Sequence, residues 1–138
     1  MNTIRVSQCD VFFVQHRDVS SPKAHYLLVL NPDPASSKLI VFGVVTSGIE
    51  KARNRIRQNG QPEETLVYIS PSDYSPLDHD SVIDCNTPVK YSKYEFELNF
   101  GQLNARKRES MPQEITDAVV RGVLLSDLVS ERIKKQLR

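Results

Sequence analysis

The sequence has no tryptophan, only two cysteines and five glycines, and almost no net charge. Cys9 and Cys85 form no C-x-x-C pair and show no metal-ligand spacing with His16, His25 or His79, so the cysteines predict no zinc site. We expect two free, buried thiols in a reducing compartment. Because the net charge is only +1 over 138 residues, any affinity for nucleic acid has to come from local patches.

Long apolar runs are also missing. No run approaches the roughly 20 residues that cross a bilayer, and the N-terminus has no basic stretch followed by the apolar stretch of a signal peptide. We therefore expect a cytoplasmic protein with no membrane contact. With 39% hydrophobic and 25% charged residues, the composition is that of a globular protein, and the length predicts a single domain over residues 1–138.

Short runs of β-branched and aromatic residues, separated by polar turns, predict strands. These runs cover residues 11–14, 26–30, 39–47, 65–70, 80–85 and 89–92. The second and third strands are expected to pair antiparallel across a long loop, since Pro32 and Pro34 stop the second one.

The hydrophobic period changes near the end of the chain. From about residue 111, Ile115, Val119 and Val123 recur every four residues, which predicts a helix with Ser110 as its cap. A second short helix is predicted after Ser126. The fold class is therefore mainly β with C-terminal helices, with the five to seven short strands forming a small barrel-like sheet.

The third predicted strand ends in two hydroxyl residues, Thr46 and Ser47, and a basic segment follows. Residues 50–64 are polar and interrupted by Gly60 and Pro62, so we expect a loop, with a short helical turn as the alternative. Cations recur in it at every second position: Lys51, Arg53, Arg55 and Arg57. An extended chain would align these cations on one side, where they could hold an RNA backbone beside the hydroxyls. The alternatives are a solvated surface loop and hydroxyls that only satisfy nearby backbone groups.

A second group of candidates precedes the second strand. His25 is the best candidate general acid or base, because imidazole titrates near neutral pH. Arg17 and Lys23 lie in the preceding loop and could supply positive charge to a phosphorane. The alternative is a structural histidine. Asp78, Asp80 and Asp84 match no metal-binding loop, so no metal ligand is predicted.

The order of these segments resembles the MazF/PemK-like endoribonuclease toxins of type II toxin–antitoxin systems. Residues 10–14 resemble the family's opening G-D-[IV]-x-x-[VA], with Cys9 in place of the glycine. Residues 25–31 are similar to R-P-x-L-V-[IV]-x-[ND], residues 44–47 to [IVL]-T-[SA], and residues 80–85 to the S-[VY]-[IV] strand. The resemblance covers residues 10 to about 128.

This resemblance implies an SH3-like barrel, a homodimer and a cognate antitoxin. It also implies cleavage of single-stranded RNA without a metal or other cofactor. By position, it assigns a catalytic role to Thr46 and places His25 where the family has its catalytic arginine. His25 would then carry the proton transfer and Thr46 would bind the phosphate. Ser47, Lys23, Arg17 and the cations of residues 51–57 would hold the RNA.

Two alternatives stay open at the level of sequence. Because the family's arginine is replaced by His25, the domain could be a non-catalytic module that binds RNA or a partner protein. It could also be a toxin that acts on a protein target, as the gyrase-poisoning relatives on this fold do.

Overall fold

The computed structural model describes residues 5–14, 24–99 and 106–138. Arg17 and Lys23 lie outside these residues. Within the described residues there are seven strands: β1 Val11–Val14, β2 His25–Val29, β3 Leu39–Thr46, β4 Leu66–Ile69, β5 Ser81–Asp84, β6 Val89–Ser92 and β7 Arg106–Arg108. The helices are α1 Ile49–Asn59, α2 Lys93–Asn99, α3 Gln113–Leu125 and α4 Glu131–Lys135, and short 3₁₀ turns cover Pro34–Ser36 and Glu63–Thr65.

The seven strands join one antiparallel sheet, in which six follow the order β4-β5-β3-β2-β1-β7 and β6 pairs with β3. The long strand β3 organises it. One edge of β3 pairs with β2, and the other edge pairs with β6 along its first half and β5 along its second half. Among the described residues β4 and β7 do not pair with each other, so the sheet is open. The predicted mainly β fold with C-terminal helices is confirmed.

The two faces of the sheet bury separate apolar clusters. On one face, Val41 and Val45 pack with Val119 and Val123 of α3 and with Leu137 after α4. On the other face, Phe12 and Phe42 pack around Phe96 of α2. Alternation along each strand divides the side chains between the faces.

A third, smaller cluster holds α1 against β4 and β5, on the same sheet face as Phe42. Ala52 and Ile56 of the helix contact Leu66 and Val82. The predicted loop over residues 50–64 is therefore wrong for its first part, which is helical to Asn59. The cations lie on the solvated side of an amphipathic helix, where a charged, Gln- and Asn-rich composition is ordinary.

Other local predictions also differ from the structure. Pro112, not Ser110, occupies the N-cap of α3, and no side chain caps that helix. The last helix is capped by Ser130, whose hydroxyl accepts the Ile133 N–H, rather than by Ser126. Both predicted helices are present. None of the helices within the described ranges is long and apolar enough to cross a membrane.

Candidate functional site

His25 and Thr46 lie next to each other on neighbouring strands. The last pair of the β2–β3 ladder is Tyr26 with Val45, so His25 and Thr46 are the next residues on the two strands. We infer from this register that their side chains share one face of the sheet, where directly opposed residues have Cβ atoms about 4.5–5.5 Å apart. This face also carries Val14, the partner of His25 on β1. The strand register thus brings the two predicted catalytic residues together.

The His25 imidazole is half-buried. Its Nδ1 lies 3.4 Å from the carbonyl oxygen of Val45, a contact that favours the tautomer with the proton on Nδ1. Nε2 then carries the lone pair. That atom is buried and has no hydrogen-bond partner among the described residues. A buried ring nitrogen without a hydrogen-bond partner destabilises the folded state. Before Nε2 can exchange a proton with a substrate, the ring has to turn or the neighbouring chain has to shift.

Thr46 ends β3 with a half-buried hydroxyl. The Oγ1 atom accepts a hydrogen bond from the Gly48 N–H at 3.1 Å, which leaves the hydroxyl proton available to another acceptor. Ser47 is exposed, and its carbonyl accepts the Ile49 N–H at 2.9 Å. These two bonds turn the chain from β3 directly into α1.

Helix α1 separates the four predicted RNA-binding cations. Lys51 lies in the first turn of α1, near Gly48: a methyl group on Gly48 would lie 3.4 Å from Thr46 Oγ1 and 4.0 Å from the Lys51 side chain. Arg57 is exposed on the last turn. Since a helix distributes period-two positions around its axis, the predicted alignment of the four cations is wrong.

Arg53 and Arg55 are engaged within the protein. Arg53 donates to Glu50 at 2.7 Å and to the Tyr68 hydroxyl at 3.1 Å, and these bonds raise the pKa of Arg53, with Tyr68 the larger cause. Arg55 forms an ion pair with the buried Asp84, with its Nε 3.4 Å from Oδ2. Each guanidinium is thus already engaged by a carboxylate of the protein, and the RNA-binding role predicted for both arginines stays a prediction.

A buried polar network missed in the sequence lies behind this ion pair. Asp84 Oδ1 accepts two hydrogen bonds from Asn86, one from its backbone and one from its side chain, each 2.9 Å long. The Asn86 amide also donates to Thr65 and accepts from Ser126 of the α3 C-terminus. Through Arg55, the network connects α1 to β5 and α3. Its only signal in the sequence is the polar Asp84 and Asn86 around a strand end.

The described part of the chain contains no group of three histidine, cysteine, aspartate or glutamate side chains close enough to hold an ion. Asp84 instead faces Arg55.

No protein-family model matches the sequence, and no curated protein matches it. Solved structures do. A MazE–MazF crystal structure from Deinococcus radiodurans aligns with a TM-score of 0.56 at 11% identity, over 86% of this chain and 92% of that one. The toxin MazF-mt6 of Mycobacterium tuberculosis aligns with a TM-score of 0.52 at 12% identity, over 83% and 92% of the two chains. The strand order, the helices and these alignments together show that this chain has a MazF-like fold.

Proposed function

We propose that this protein is a ribosome-independent, metal-independent endoribonuclease toxin that cleaves single-stranded RNA. The observation that carries the proposal is the position of His25 at the start of β2 and Thr46 at the end of β3, one residue beyond the last pair of the β2–β3 ladder. The MazF-like fold supports the reaction class. The spacing of opposed residues, about 5 Å, lets one phosphodiester contact both side chains.

The proposed reaction uses the RNA as its own nucleophile. The 2′-hydroxyl attacks the adjacent phosphorus, and the 5′-oxygen of the next nucleotide leaves, which produces a 2′,3′-cyclic phosphate and a 5′-hydroxyl. After its ring turns to expose Nε2, His25 takes the proton of the 2′-hydroxyl and gives it to the departing 5′-oxygen, while the Thr46 hydroxyl donates a hydrogen bond to a phosphate oxygen. Because the nucleophile is internal, the protein has to orient it in line with the leaving oxygen, transfer the proton and stabilise the charge.

The RNA contacts are proposed from position and exposure. Ser47 follows Thr46 and is exposed, and Lys51 lies in the first turn of α1 near Gly48, so we assign the phosphate contacts to these two side chains. Arg57 extends the positive charge along α1. Arg17 and Lys23 stay predictions, because they lie outside the described residues.

A cognate antitoxin, a homodimer and a cytoplasmic location belong to the same proposal. The D. radiodurans neighbour is a MazE–MazF structure, and a toxin of this kind requires a neutralising partner. Co-expression with a candidate antitoxin from the adjacent gene, followed by co-purification and loss of cleavage, tests this part separately.

The test is cleavage of a 5′-labelled single-stranded RNA in EDTA. We expect His25→Ala to reduce the rate about 100-fold or more, since general acid–base groups contribute about 10²–10⁴-fold. Thr46→Val, which keeps the side-chain shape without the hydroxyl, should reduce it about 10-fold or more. Mass spectrometry of the wild-type products should show the cyclic phosphate. His79→Ala is the matched control, because His79 is exposed in a turn. Equal cutting by wild type, His25→Ala and Thr46→Val excludes these catalytic assignments.

A second candidate is a non-catalytic module that binds RNA or a partner protein. The burial of His25 Nε2 favours it, since an enclosed ring nitrogen is poorly placed for proton transfer. This function predicts a gel shift of intact RNA or capture of a partner, with no cleavage in EDTA or in Mg²⁺.

A further inference from the structure

Strand β7 carries a dense group of positive charges. Arg106, Lys107 and Arg108 are all exposed, and they form the only run of three consecutive cations in the sequence. The strand lies at one edge of the sheet and, among the described residues, pairs only with β1. None of these cations belongs to the proposed catalytic site.

The three side chains of β7 divide between the two faces of the sheet. Lys107 pairs with Phe12, and its Nζ lies 3.4 Å from Oδ2 of the buried Asp10, so its charge is balanced within the protein. By alternation along the strand, Arg106 and Arg108 belong to the opposite face, with Cα atoms about 7 Å apart. Neither arginine forms an ion pair with a residue that the structure describes. Two unbalanced guanidinium groups are therefore exposed on one face.

These arginines begin at the end of the sheet that carries the proposed catalytic residues. Val14 ends β1, His25 begins β2, Thr46 ends β3 and Arg106 begins β7. Arg106 pairs with Phe13, and the next residue, Val14, pairs with His25. Because neighbouring strands lie about 4.8 Å apart, the backbones of Arg106 and His25 are about 10 Å apart. Arg106 thus lies at the corner of the sheet, where this end meets the outer edge of β7.

An aromatic ring lies beside the first arginine. Phe13 is the cross-strand partner of Arg106, and directly opposed residues have Cβ atoms about 4.5–5.5 Å apart. The ring is partly exposed, and its centre is 4.6 Å from that of Tyr26. Surfaces that bind single-stranded nucleic acid combine cations for the phosphates with aromatic rings on which bases stack. The face of β7 that carries its arginines provides both.

We propose that Arg106 and Arg108 form a second phosphate-binding subsite, which holds single-stranded RNA beyond the scissile phosphate. This subsite rests on the proposed nuclease function. The RNA leaves the face of His25 at the corner of the sheet and passes onto the face of the two arginines, where a base stacks on Phe13. Guanidinium groups bind phosphate oxygens through paired N–H donors. The arginine contacts therefore fix the position of the RNA backbone and carry no sequence preference.

The first test measures binding of a labelled single-stranded 2′-O-methyl RNA, which lacks the attacking hydroxyl, by fluorescence anisotropy on the full chain. We expect Arg106→Ala with Arg108→Ala to weaken binding about 10-fold. The slope of log affinity against log salt should become shallower by about 1.4, since each phosphate contact in a single strand contributes about 0.7. Arg106→Lys with Arg108→Lys keeps the charges and should keep most of this slope.

Two controls accompany this measurement. Lys38→Ala with Lys90→Ala removes two exposed cations near the start of β3, at the opposite end of the sheet, and should bind as the wild type does. Duplex RNA should compete about 10-fold less well than single-stranded RNA, because its paired bases cannot stack on Phe13.

The second test measures cleavage of a long RNA and of a dinucleotide. For the long RNA, the double alanine variant should raise KM about 10-fold and leave kcat unchanged, since the arginines contact no reacting atom. The dinucleotide ends before it reaches Arg106. The variant should therefore cleave it at the wild-type rate.

Several outcomes overturn the subsite. These are equal affinity and equal salt slope for the arginine and lysine variants, equal competition by duplex RNA, and an equal loss of cleavage for the dinucleotide and the long RNA. Failure of the nuclease function has a different result. If the wild type leaves RNA intact but binds the 2′-O-methyl RNA in a way that depends on Arg106 and Arg108, the nuclease proposal is wrong and the arginine subsite is supported.

Discussion

At the residue scale, Cys9 has a backbone conformation that glycine prefers. Its φ is 76°, and no other described non-glycine residue has a positive φ. The residue is held there because its N–H donates to the Val29 carbonyl and its carbonyl accepts the Met111 N–H. The family motif that residues 10–14 resemble has glycine at the position of Cys9. The cysteine that replaces this glycine is therefore also a site of backbone strain.

Substitutions at Cys9 test this strain. A non-glycine residue in the left-handed region costs about 1–3 kcal/mol, and Cys9→Gly removes this cost. The gain offsets the loss of the buried side chain and of the thiol contact with Gln113. We expect the free energy of unfolding to change by less than about 1 kcal/mol. Cys9→Val should lower it by about 2 kcal/mol or more, because a β-branched side chain fits this conformation poorly.

Urea unfolding measures both variants. Cys9→Ala is the control, since it shortens the side chain but keeps the strain, and its stability should fall between the other two. Equal losses for Cys9→Gly and Cys9→Val would show that side-chain contacts, not backbone conformation, dominate.

At the element scale, α1 shows why one interpretation of the sequence failed. Ile49, Ala52 and Ile56 follow a helical spacing, and Gly60 ends the helix in the left-handed conformation with φ of 65°. Both signals are present in the sequence. The charged, Gln- and Asn-rich composition of this segment nevertheless favours a loop. The helix is stable because Ala52 and Ile56 pack against Leu66 and Val82, which compensates for the loss of chain entropy.

Helix α3 depends on close packing at Gly122. A methyl group there would lie 2.5 Å from Cys85 Sγ and 2.9 Å from the Glu64 carbonyl oxygen. In an open helix, Gly→Ala stabilises by about 1 kcal/mol. Here the clash involves a buried thiol and backbone, so we expect Gly122→Ala to destabilise by about 1–3 kcal/mol. Thermal and urea unfolding measure the change.

The neighbouring exposed position provides the control for this variant. Arg121→Ala should change stability by less than about 0.5 kcal/mol. A stabilised Gly122→Ala would mean that α3 moves away from β5 easily, and that the polar contact between Ser126 and Asn86 does not hold the helix in place.

At the scale of the whole molecule, the core contains protonated groups that resist ionisation. Burial raises the pKa of Cys85 to about 12, and the neighbouring Asp84 charge adds to the effect. Burial also raises the pKa of the Tyr74 hydroxyl. Unfolding returns each group to water, so the unfolded chain loses these protons at lower pH than the folded protein does.

Stability should therefore fall as the pH rises above about 9. In that range the unfolded Cys85 thiol is ionised and the folded one is not, so the folded state binds more protons. At pH 10 the effect on the free energy of unfolding is about 1 kcal/mol. Cys85→Ala has no thiol to ionise at this position. Between pH 8 and pH 10 its free energy of unfolding, measured with urea, should therefore fall less than that of the wild type. Tyr74 contributes equally to both proteins, and parallel pH profiles would contradict the assignment.

Short hydrophobic periods in the sequence are enough to locate the strand runs, the two C-terminal helices and Thr46 at a strand end. The open sheet order, the pairing of β3 with both β5 and β6, and the proximity of His25 to the end of β3 come from tertiary packing. Register between distant strands depends on burial of whole faces, such as Phe42 against Phe96. The same packing decided that the basic segment is a helix with Arg55 held by Asp84, since no local pattern specifies which buried carboxylate a surface cation reaches.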